Sequence, residues 1–481
     1  MRPDTVIRFA IYLFAGLLLL GSAGLATGFF FVVKSGNEPE HGHRFNLRVP
    51  VERRITLAPY VPVEGTLTLG AGTPSQLSGN WSQFRGENRD AISPETTPLR
   101  KNWSEEQPPP VLWELPLGEG YAGFAVRNGR VYILDYDMEN QRDALRCLSL
   151  DDGQEIWRFS YPVQIKKNHG MSRTIPVVTD QYCVSLGPKC HVLCVDAVTG
   201  EEKWFIDLRH EYGTVEPQWY AGQCPLITVL PGSDKPSVII APSGPEVMVV
   251  AHDCETGEEV WRTPNPHGWE MTHASLAPMM LDGQLTFVYF GGEGVAGVRA
   301  DDGKILWSKT GLSVGLASCP SPVIVPDNRI FLCGGYKVGS TMLQIVPDSP
   351  GTYKANTLFQ LPDAVFDSEQ QTPIFYEGHI FGLRQYDKQF VCLDLNGKVV
   401  WESGRTEKFG SGPYIIVDGM ILILDDDGTL TGCEAAFAGY RKLFAVEDMF
   451  AGGACWAPMA IVQGRLLLRD QMSMKCIDIR E

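Results

Sequence analysis

Positive charge is scarce in this sequence. Its 481 residues include 41 lysines and arginines against 57 aspartates and glutamates, which gives a formal net charge of −16. Proteins that bind nucleic acids neutralise phosphates with a basic surface, and the chain has no basic stripe of this kind. The composition therefore argues against a nucleic-acid partner and indicates a soluble, acidic surface.

Several cofactor and catalytic motifs are also missing. The sequence contains no C-x-x-C-H haem-attachment motif, no adjacent cysteine pair, and no phosphate loop, zinc motif or Ser-His-Asp spacing above chance. No cysteine precedes Cys147, so a lipid-modified N-terminal cysteine is not expected. The common sequence signals of haem, nucleotide and zinc enzymes are therefore absent.

Charged residues are absent from Phe9 to Val33. At 1.5 Å per residue, a helix of this length measures about 37 Å and spans a hydrocarbon core of about 30 Å. The apolar run continues through Phe29–Val33 after the small residues Ser22–Ala26, which favours an uncleaved anchor over a cleaved signal peptide. We predict a transmembrane anchor over residues 1–34 and a stalk or linker over residues 35–80. Basic residues on both sides leave its orientation open.

One sequence motif recurs along the rest of the chain. It consists of a turn with Asp or Thr followed by Gly, and an aromatic residue, usually Trp, four positions after the Gly. Its fullest copies are Asp196–Trp204 and Asp253–Trp261. The aromatic residues of the eight copies are Trp113, Trp157, Trp204, Trp261, Trp307, Phe359, Trp401 and Phe444. Spacings of 42 to 57 residues between them are typical of propeller blades or helical arrays.

The residues around each turn favour the propeller. They form short β-branched runs such as Val192–Val195 and Tyr414–Val417, which read as strands. A proline often precedes the first run of a repeat, as at Pro278 and Pro322, and proline suits the start of a strand. We predict an all-β, eight-bladed propeller of four-stranded blades over residues 81–481, with the tryptophans on the outermost strands.

The chain ends predict how the ring closes. Met474–Ile479 matches the third strand of a blade, but no turn or tryptophan strand follows it. Val111–Leu115 is a tryptophan strand with no turn before it. We therefore predict that these two segments pair within one blade.

The motif D-x-x-T-G-x-x-x-W resembles the tryptophan-docking repeat of the PQQ-like (pyrroloquinoline quinone-binding-like) β-propeller proteins. The opening Asn80–Asp90, followed by Leu117–Tyr121, is similar to a bacterial subgroup common in planctomycete-type genomes. The resemblance covers about residues 81–481. The family includes quinoprotein dehydrogenases and the outer-membrane assembly lipoprotein, so it implies the fold and leaves the activity open.

The resemblance does not establish a cofactor. The family's dehydrogenases need a stacking tryptophan, a divalent metal held by carboxylate and amide oxygens, and a basic aspartate. They also carry an adjacent bridged cysteine pair, which this chain lacks. PQQ and calcium therefore belong only to the alternative function, an alcohol or sugar dehydrogenase.

Sulfur-rich patterns favour packing over metal binding. In a strand, Cys190 and Cys194 point one way and His191 the other, and Met472, Met474 and Cys476 share one face. Both sets are interpreted as core residues. Four cysteines occupy the same place in their repeats, which also indicates core positions and leaves disulfide pairing open: Cys147, Cys194, Cys392 and Cys476.

Candidate binding residues lie on the longer connectors from each outermost strand to the next blade. By the geometry of the family these connectors surround one mouth of the channel. The alternative is that they are solvated loops and residues that pack between blades. The candidates are His169, Arg173, Glu216, Gln218, Trp219, Tyr220, Trp269, Glu270, His273, Glu369 and Gln370.

These observations predict a binding or scaffold protein anchored in the inner membrane, with its propeller on the extracytoplasmic side and a protein, peptide or glycan on the loop face. The alternative is the PQQ- and calcium-dependent dehydrogenase. The blade tryptophans are assigned a structural role between neighbouring blades: Trp113, Trp157, Trp204, Trp261, Trp307 and Trp401.

Overall fold

Antiparallel sheets repeat eight times along the residues that the computed structural model describes, 63–451 and 453–481. The predicted anchor over residues 1–34 lies outside this range, as does most of the predicted stalk. Among the described residues no helix is long and apolar enough to cross a membrane. The α-helix found there is α1 (Leu208–Tyr212).

The strands are numbered in chain order, and β1 (Thr66–Leu69) and β2 (Val111–Pro116) precede the first blade. Blade 1 contains β3 (Ala125–Arg127), β4 (Arg130–Asp137), β5 (Arg142–Ser149) and β6 (Glu155–Pro162). Blade 2 contains β7 (Val177–Val178), β8 (Tyr182–Leu186), β9 (His191–Asp196) and β10 (Glu202–Asp207). Blade 3 contains β11 (Leu226–Val229), β12 (Pro236–Ile240), β13 (Val247–Asp253) and β14 (Glu259–Pro264). Blade 4 contains β15 (Ala277–Leu281), β16 (Gln284–Phe290), β17 (Gly294–Arg299) and β18 (Ile305–Thr310).

Blade 5 contains β19 (Val323–Val325), β20 (Arg329–Gly334), β21 (Gly339–Ser349) and β22 (Thr352–Leu361). Blade 6 contains β23 (Ile374–Tyr376), β24 (His379–Arg384), β25 (Gln389–Asp394) and β26 (Val399–Glu402). Blade 7 contains β27 (Tyr414–Val417), β28 (Met420–Leu424), β29 (Leu430–Glu434) and β30 (Lys442–Val446). Blade 8 contains β31 (Ala460–Val462), β32 (Arg465–Arg469) and β33 (Ser473–Asp478), and takes β2 as its outermost strand.

The sheets form a propeller. First strands of neighbouring blades contact one another, as β3 contacts β7 and β15 contacts β19, which places them around a central channel. Second strands such as β8 and β28 are buried along their whole length, whereas the outermost β14 alternates between buried and partly or fully exposed residues. The eight four-stranded blades predicted from the repeat are therefore confirmed.

The two chain ends meet in blade 8, as predicted. Val111 pairs with Ile477, Trp113 with Cys476 and Leu115 with Met474 in an antiparallel ladder. A bulge between Val111 and Trp113 shifts the register. Since β33 also pairs with β32, hydrogen bonds between strands join the beginning and the end of the ring.

A strand that the sequence did not predict extends blade 1. Thr66–Leu69 pairs with β6 from Ser160 to Trp157 and makes this sheet five-stranded. The strand falls within residues 35–80, where a stalk or linker was expected. It is short and mostly exposed, so it carries little of the apolar pattern by which strands are recognised.

The rings of four blade tryptophans contact the turn glycine of the next blade: Trp113, Trp157, Trp204 and Trp261. A Cβ added at Gly200 would lie 2.6 Å from the Trp157 ring, and one at Gly257 would lie 2.7 Å from Trp204. Gly200 also has a φ of 78°, so the turn needs glycine for conformation and for space. All six tryptophans assigned to the blades are buried. The turn glycine of one blade and the tryptophan of the preceding blade therefore form one packing unit.

Eleven of the twelve cysteines are buried, and those at the repeat positions are small residues of the blade cores. Cys194 lies directly opposite Trp204, and Cys147, Cys392 and Cys476 take the same place opposite Trp157, Trp401 and Trp113. All twelve cysteines are free thiols. Within the described ranges, no group of three or more His, Cys, Asp or Glu residues could hold a metal ion.

The core interpretation was wrong for one sulfur residue. Met474 and Cys476 are completely buried, but Met472 is 55% exposed. Because β33 begins at Ser473, Met472 lies in the preceding loop, and the alternation of side chains along a strand does not apply to it.

Candidate functional site

A segment that precedes the first blade crosses the central channel. We call residues 81–93 the plug. Trp81 exchanges main-chain hydrogen bonds with Val126 in blade 1 (2.8 and 2.9 Å), and Val178 N in blade 2 donates to Ser82 O (2.8 Å). At the other end of the plug, Ile416 N in blade 7 donates to Ala91 O (2.9 Å). These partners lie on innermost strands, so the plug spans the channel between blades.

Two arginines connect the plug to three further blades. Arg85 Nη1 donates to Thr372 O (2.6 Å) and Nη2 to Pro373 O (2.9 Å), just before the first strand of blade 6. Arg89 donates to Pro225 O (3.3 Å) and Leu276 O (3.2 Å), just before the first strands of blades 3 and 4. The guanidinium groups thereby satisfy main-chain carbonyls at the channel wall.

The plug forms the floor of a cavity of about 370 Å³. The connectors between blades supply its walls, which are largely aromatic and apolar. Its aromatic lining consists of Trp81, Phe84, Tyr121, Trp219, Tyr336, Tyr414 and Trp456.

One aromatic wall is held by polar contacts from behind. The rings of Tyr121 and Trp456 stack with centroids 4.9 Å apart at 26°. Trp456 Nε1 donates to Asp426 Oδ1 (2.6 Å), and the Arg173 guanidinium lies 5.6 Å from the Tyr121 ring centre. Because each ring has a neighbour that fixes its orientation, this wall is formed before any ligand arrives.

Arg173 is the cation of the upper wall. It donates to the carbonyls of Asn168 (3.0 Å), His169 (2.6 Å) and Trp219 (2.5 Å), and so ties two connectors together. Burial lowers the pKa of Arg173. Burial, followed by the charge of Arg173, lowers the pKa of His273 to about 4, so His273 is neutral at physiological pH.

Buried groups behind the wall hold the connector that carries Arg173. The neighbouring Ser172 donates to Asp143 Oδ1 (3.2 Å), and Tyr161 donates to Asp143 Oδ2 (2.9 Å). Burial raises the pKa of Asp143 to about 7. Ser172 O also accepts the N–H of Tyr121 (2.8 Å), which links this network to the stacked rings.

The structure brings six of the eleven candidate residues to this cavity. They are His169, Arg173, Trp219, His273, Glu369 and Gln370. The other five do not line it. Glu216 forms a salt bridge with Lys189 (2.8 Å). Tyr220 is buried and donates a hydrogen bond to Lys166 O. Gln218 and Glu270 are exposed.

Trp269 is a packing residue of blade 4. It is 2% exposed, and a Cβ at Gly291 would lie 2.9 Å from its ring. Its position on a connector did not separate it from Trp219, because both are aromatic residues in polar loops. Burial against Gly291 can be seen only in three dimensions.

The floor was missed entirely. Trp81, Phe84 and Arg85 belong to the opening segment Asn80–Asp90, for which the sequence predicted no binding role. The available signal was two arginines and two aromatic residues in a segment with no strand pattern. Their partners, such as Thr372, are almost three hundred positions away, so no local pattern reveals the contact.

Solved structures with this architecture come from different functional classes. The quinohemoprotein alcohol dehydrogenase of Comamonas testosteroni is 12% identical with a TM-score of 0.55, and the match covers 83% of this chain and 80% of that one. BamB from Moraxella catarrhalis is 13% identical with a TM-score of 0.50, covering 77% of this chain and 99% of that one. No curated protein matches the sequence. These likenesses concern the fold alone.

A family model of PQQ-type repeats, described as outer membrane protein assembly factor BamB, matches residues 106–219 and 227–345. The chain carries PQQ-like β-propeller repeats. Within this PQQ-like propeller the matched residues run from the closing strand β2 into blade 5, and include four blade turns with their tryptophans.

The cavity of this PQQ-like propeller does not fit a quinone with a divalent cation. Among the described lining residues Glu369 is the one carboxylate. Gln370 and Gln371 add two side-chain amides to the lining, and Gln371 Nε2 donates to the carbonyls of Ser411 (3.2 Å) and Trp456 (3.1 Å). The two lining guanidinium groups, of Arg85 and Arg173, donate to main-chain carbonyls. A calcium ion takes about six to eight oxygen ligands, which is more than one carboxylate and two side-chain amides provide.

Proposed function

We propose that this PQQ-like propeller is a binding protein whose cavity takes an aromatic or aliphatic side chain from a protein or peptide partner. The observation that carries the proposal is the preformed aromatic cavity with a closed floor. Pockets that are largely apolar, with a few fixed polar groups, are the usual form of a binding site. Buried anchor residues of this type carry most of the energy of peptide recognition.

The polar groups suit a main chain entering with that side chain. Glu369, Gln370 and His169 lie among the lining residues and offer acceptors and donors beside the rings. Leu316 and Tyr336, 50% and 40% exposed, add apolar surface to the same lining. The matching family model describes an assembly factor, which supports a binding role for this chain.

The proposal places the propeller outside the cytoplasm on a membrane tether. The uncharged run Phe9–Val33, outside the described residues, supports the tether by its length. A tethered propeller would present its loop face to partners near the membrane.

An oxidation assay separates binding from the dehydrogenase alternative. The full-length chain is mixed with PQQ and Ca²⁺, and dye reduction is followed with ethanol or glucose as substrate. We expect no quinone-dependent dye reduction above a protein-free control, because one carboxylate and two side-chain amides give the metal too few oxygen ligands. Sustained turnover that is lost in the Glu369→Gln variant would overturn the proposal.

A further inference from the structure

A second cavity, of about 230 Å³, lies on the other side of Phe84 and Arg85. Plug residues Arg85, Arg89 and Asp90 line it together with the innermost strands of blades 4 to 6. It contains none of the connector residues proposed above to receive a partner. The charges and apolar residues of its lining determine which ligands it can bind.

The two positive charges in this cavity belong to Arg85 and Arg89. Neither Arg85 nor Arg89 forms a salt bridge among the described residues; both donate to main-chain carbonyls or to Gln83. Burial lowers the pKa of each to about 10, which reflects an energetic cost of keeping the charge away from water. An anion in the cavity would offset that cost.

Asp90 limits the charge of such an anion. Its carboxylate lines the same cavity, and Oδ1 accepts the N–H of Ile92 (3.0 Å). Two guanidinium groups and one carboxylate leave a single net positive charge. A monoanion balances this charge, whereas a dianion would face Asp90 with an excess of negative charge.

Arg89 retains hydrogen-bonding capacity for the anion. Each guanidinium carries five N–H donors. Arg85 uses four of its donors, at 2.6 to 3.1 Å. Arg89 uses three, at 3.1 to 3.3 Å, and has fewer and longer bonds. The carboxylate of a ligand would therefore accept hydrogen bonds from Arg89.

The rest of the lining is mainly apolar. Leu276, Pro278 and Val323 stand beside Ile324 and Phe375, around a space too small for a folded segment. A ligand that matches this lining combines one negative charge with a short hydrocarbon body.

We propose that this second cavity binds a small organic monocarboxylate, with its carboxylate on Arg89 and its hydrocarbon body against β15 and β19. This site is separate from the proposed partner cavity and does not depend on it. A bound carboxylate would also hold the plug by bridging it to blades 4 and 5.

Calorimetric titration of the full-length chain with hexanoate tests the site. We expect saturable binding with one site per chain. Hexanamide, which has the same shape without the charge, should bind at least about tenfold more weakly, the usual value of a charge-assisted hydrogen bond. Hexanoate should bind Arg89→Gln more weakly by a similar factor. Arg299→Gln, which removes a surface arginine paired with Asp301 and Asp302, should bind it like the unmodified chain.

A second variant keeps the test decisive if Arg89→Gln fails to fold. Ile324→Phe narrows the cavity and leaves both arginines in place, so it should also abolish binding while the chain still melts cooperatively. Equal affinity for hexanoate and hexanamide, or no binding of hexanoate at millimolar concentration, would overturn the proposal. Tighter binding of phosphate than of hexanoate would also overturn it, as would hexanoate binding that is lost in Trp219→Ala but kept in Ile324→Phe.

Discussion

Deleting Met474–Glu481 should open the ring and cause aggregation. This segment contains nearly all of β33, which pairs with both β2 and β32. Its removal leaves two strands with unpaired main-chain groups, and such edges associate with other chains. It also uncovers the fully buried side chains of Leu466, Leu467 and Leu468. Size-exclusion chromatography and thermal melting of the truncated and full-length chains measure the effect.

Two substitutions at Ile477 separate loss of the strand from loss of a side chain. Ile477→Pro removes a ladder donor at the residue that pairs with Val111 and Leu466, so it should behave like the truncation. Ile477→Val keeps the ladder and should cost about 0.5–1.5 kcal/mol without aggregation. A truncated chain that elutes and melts like the full-length chain would disprove closure through blade 8.

Replacing Trp157 by Ala should lower the free energy of unfolding by about 3–5 kcal/mol, the usual range for a buried aromatic side chain. The ring is 1% exposed and packs against Gly200 of blade 2, so its loss leaves a cavity between two blades. Denaturant unfolding followed by circular dichroism measures the change. Unchanged stability together with altered ligand binding would show instead that Trp157 acts in recognition.

Replacement by Phe should separate two kinds of blade tryptophan. Trp204 Nε1 donates to Cys254 O (2.9 Å), whereas the equivalent carbonyl near Trp157, that of Ala197, accepts from Tyr132 Oη (3.0 Å). Among the described residues Trp157 Nε1 has no hydrogen-bond partner. Trp204→Phe should therefore cost about 1 kcal/mol more than Trp157→Phe, the net value of one hydrogen bond. Equal costs would show that ring packing alone sets the stability.

The blades could be predicted because their signals are local. The turn glycine and the tryptophan stand four positions apart in one hairpin, and each copy points to the same arrangement. Closure was also predictable, since a blade with three strands at one chain end and a lone tryptophan strand at the other leave one consistent pairing. The strand β1 could not be predicted, because it lies mostly exposed on the outer edge of blade 1 and contains no buried residue.

The candidate site was predictable only in its walls. The family resemblance placed the connectors at one mouth, and Arg173, Trp219 and Glu369 do line the cavity there. The floor depends on hydrogen bonds between Arg85 and carbonyls in blade 6. Every residue has a main-chain carbonyl, so the sequence does not show which carbonyl an arginine will bind. Neither the plug nor the two cavities that it separates could therefore be inferred from the sequence.

Peptide binding to the aromatic cavity tests the central claim most directly. Peptides selected from a random displayed library against the full-length chain are synthesised, and their affinities are measured for the unmodified chain and two variants. Trp219→Ala should weaken binding at least about tenfold, as expected for an aromatic contact at the centre of an interface. Val260→Ala, which alters an exposed apolar residue on the outermost strand of blade 3, should leave affinity unchanged. Equal affinities for the unmodified chain and Trp219→Ala, or a loss confined to Val260→Ala, would contradict the account.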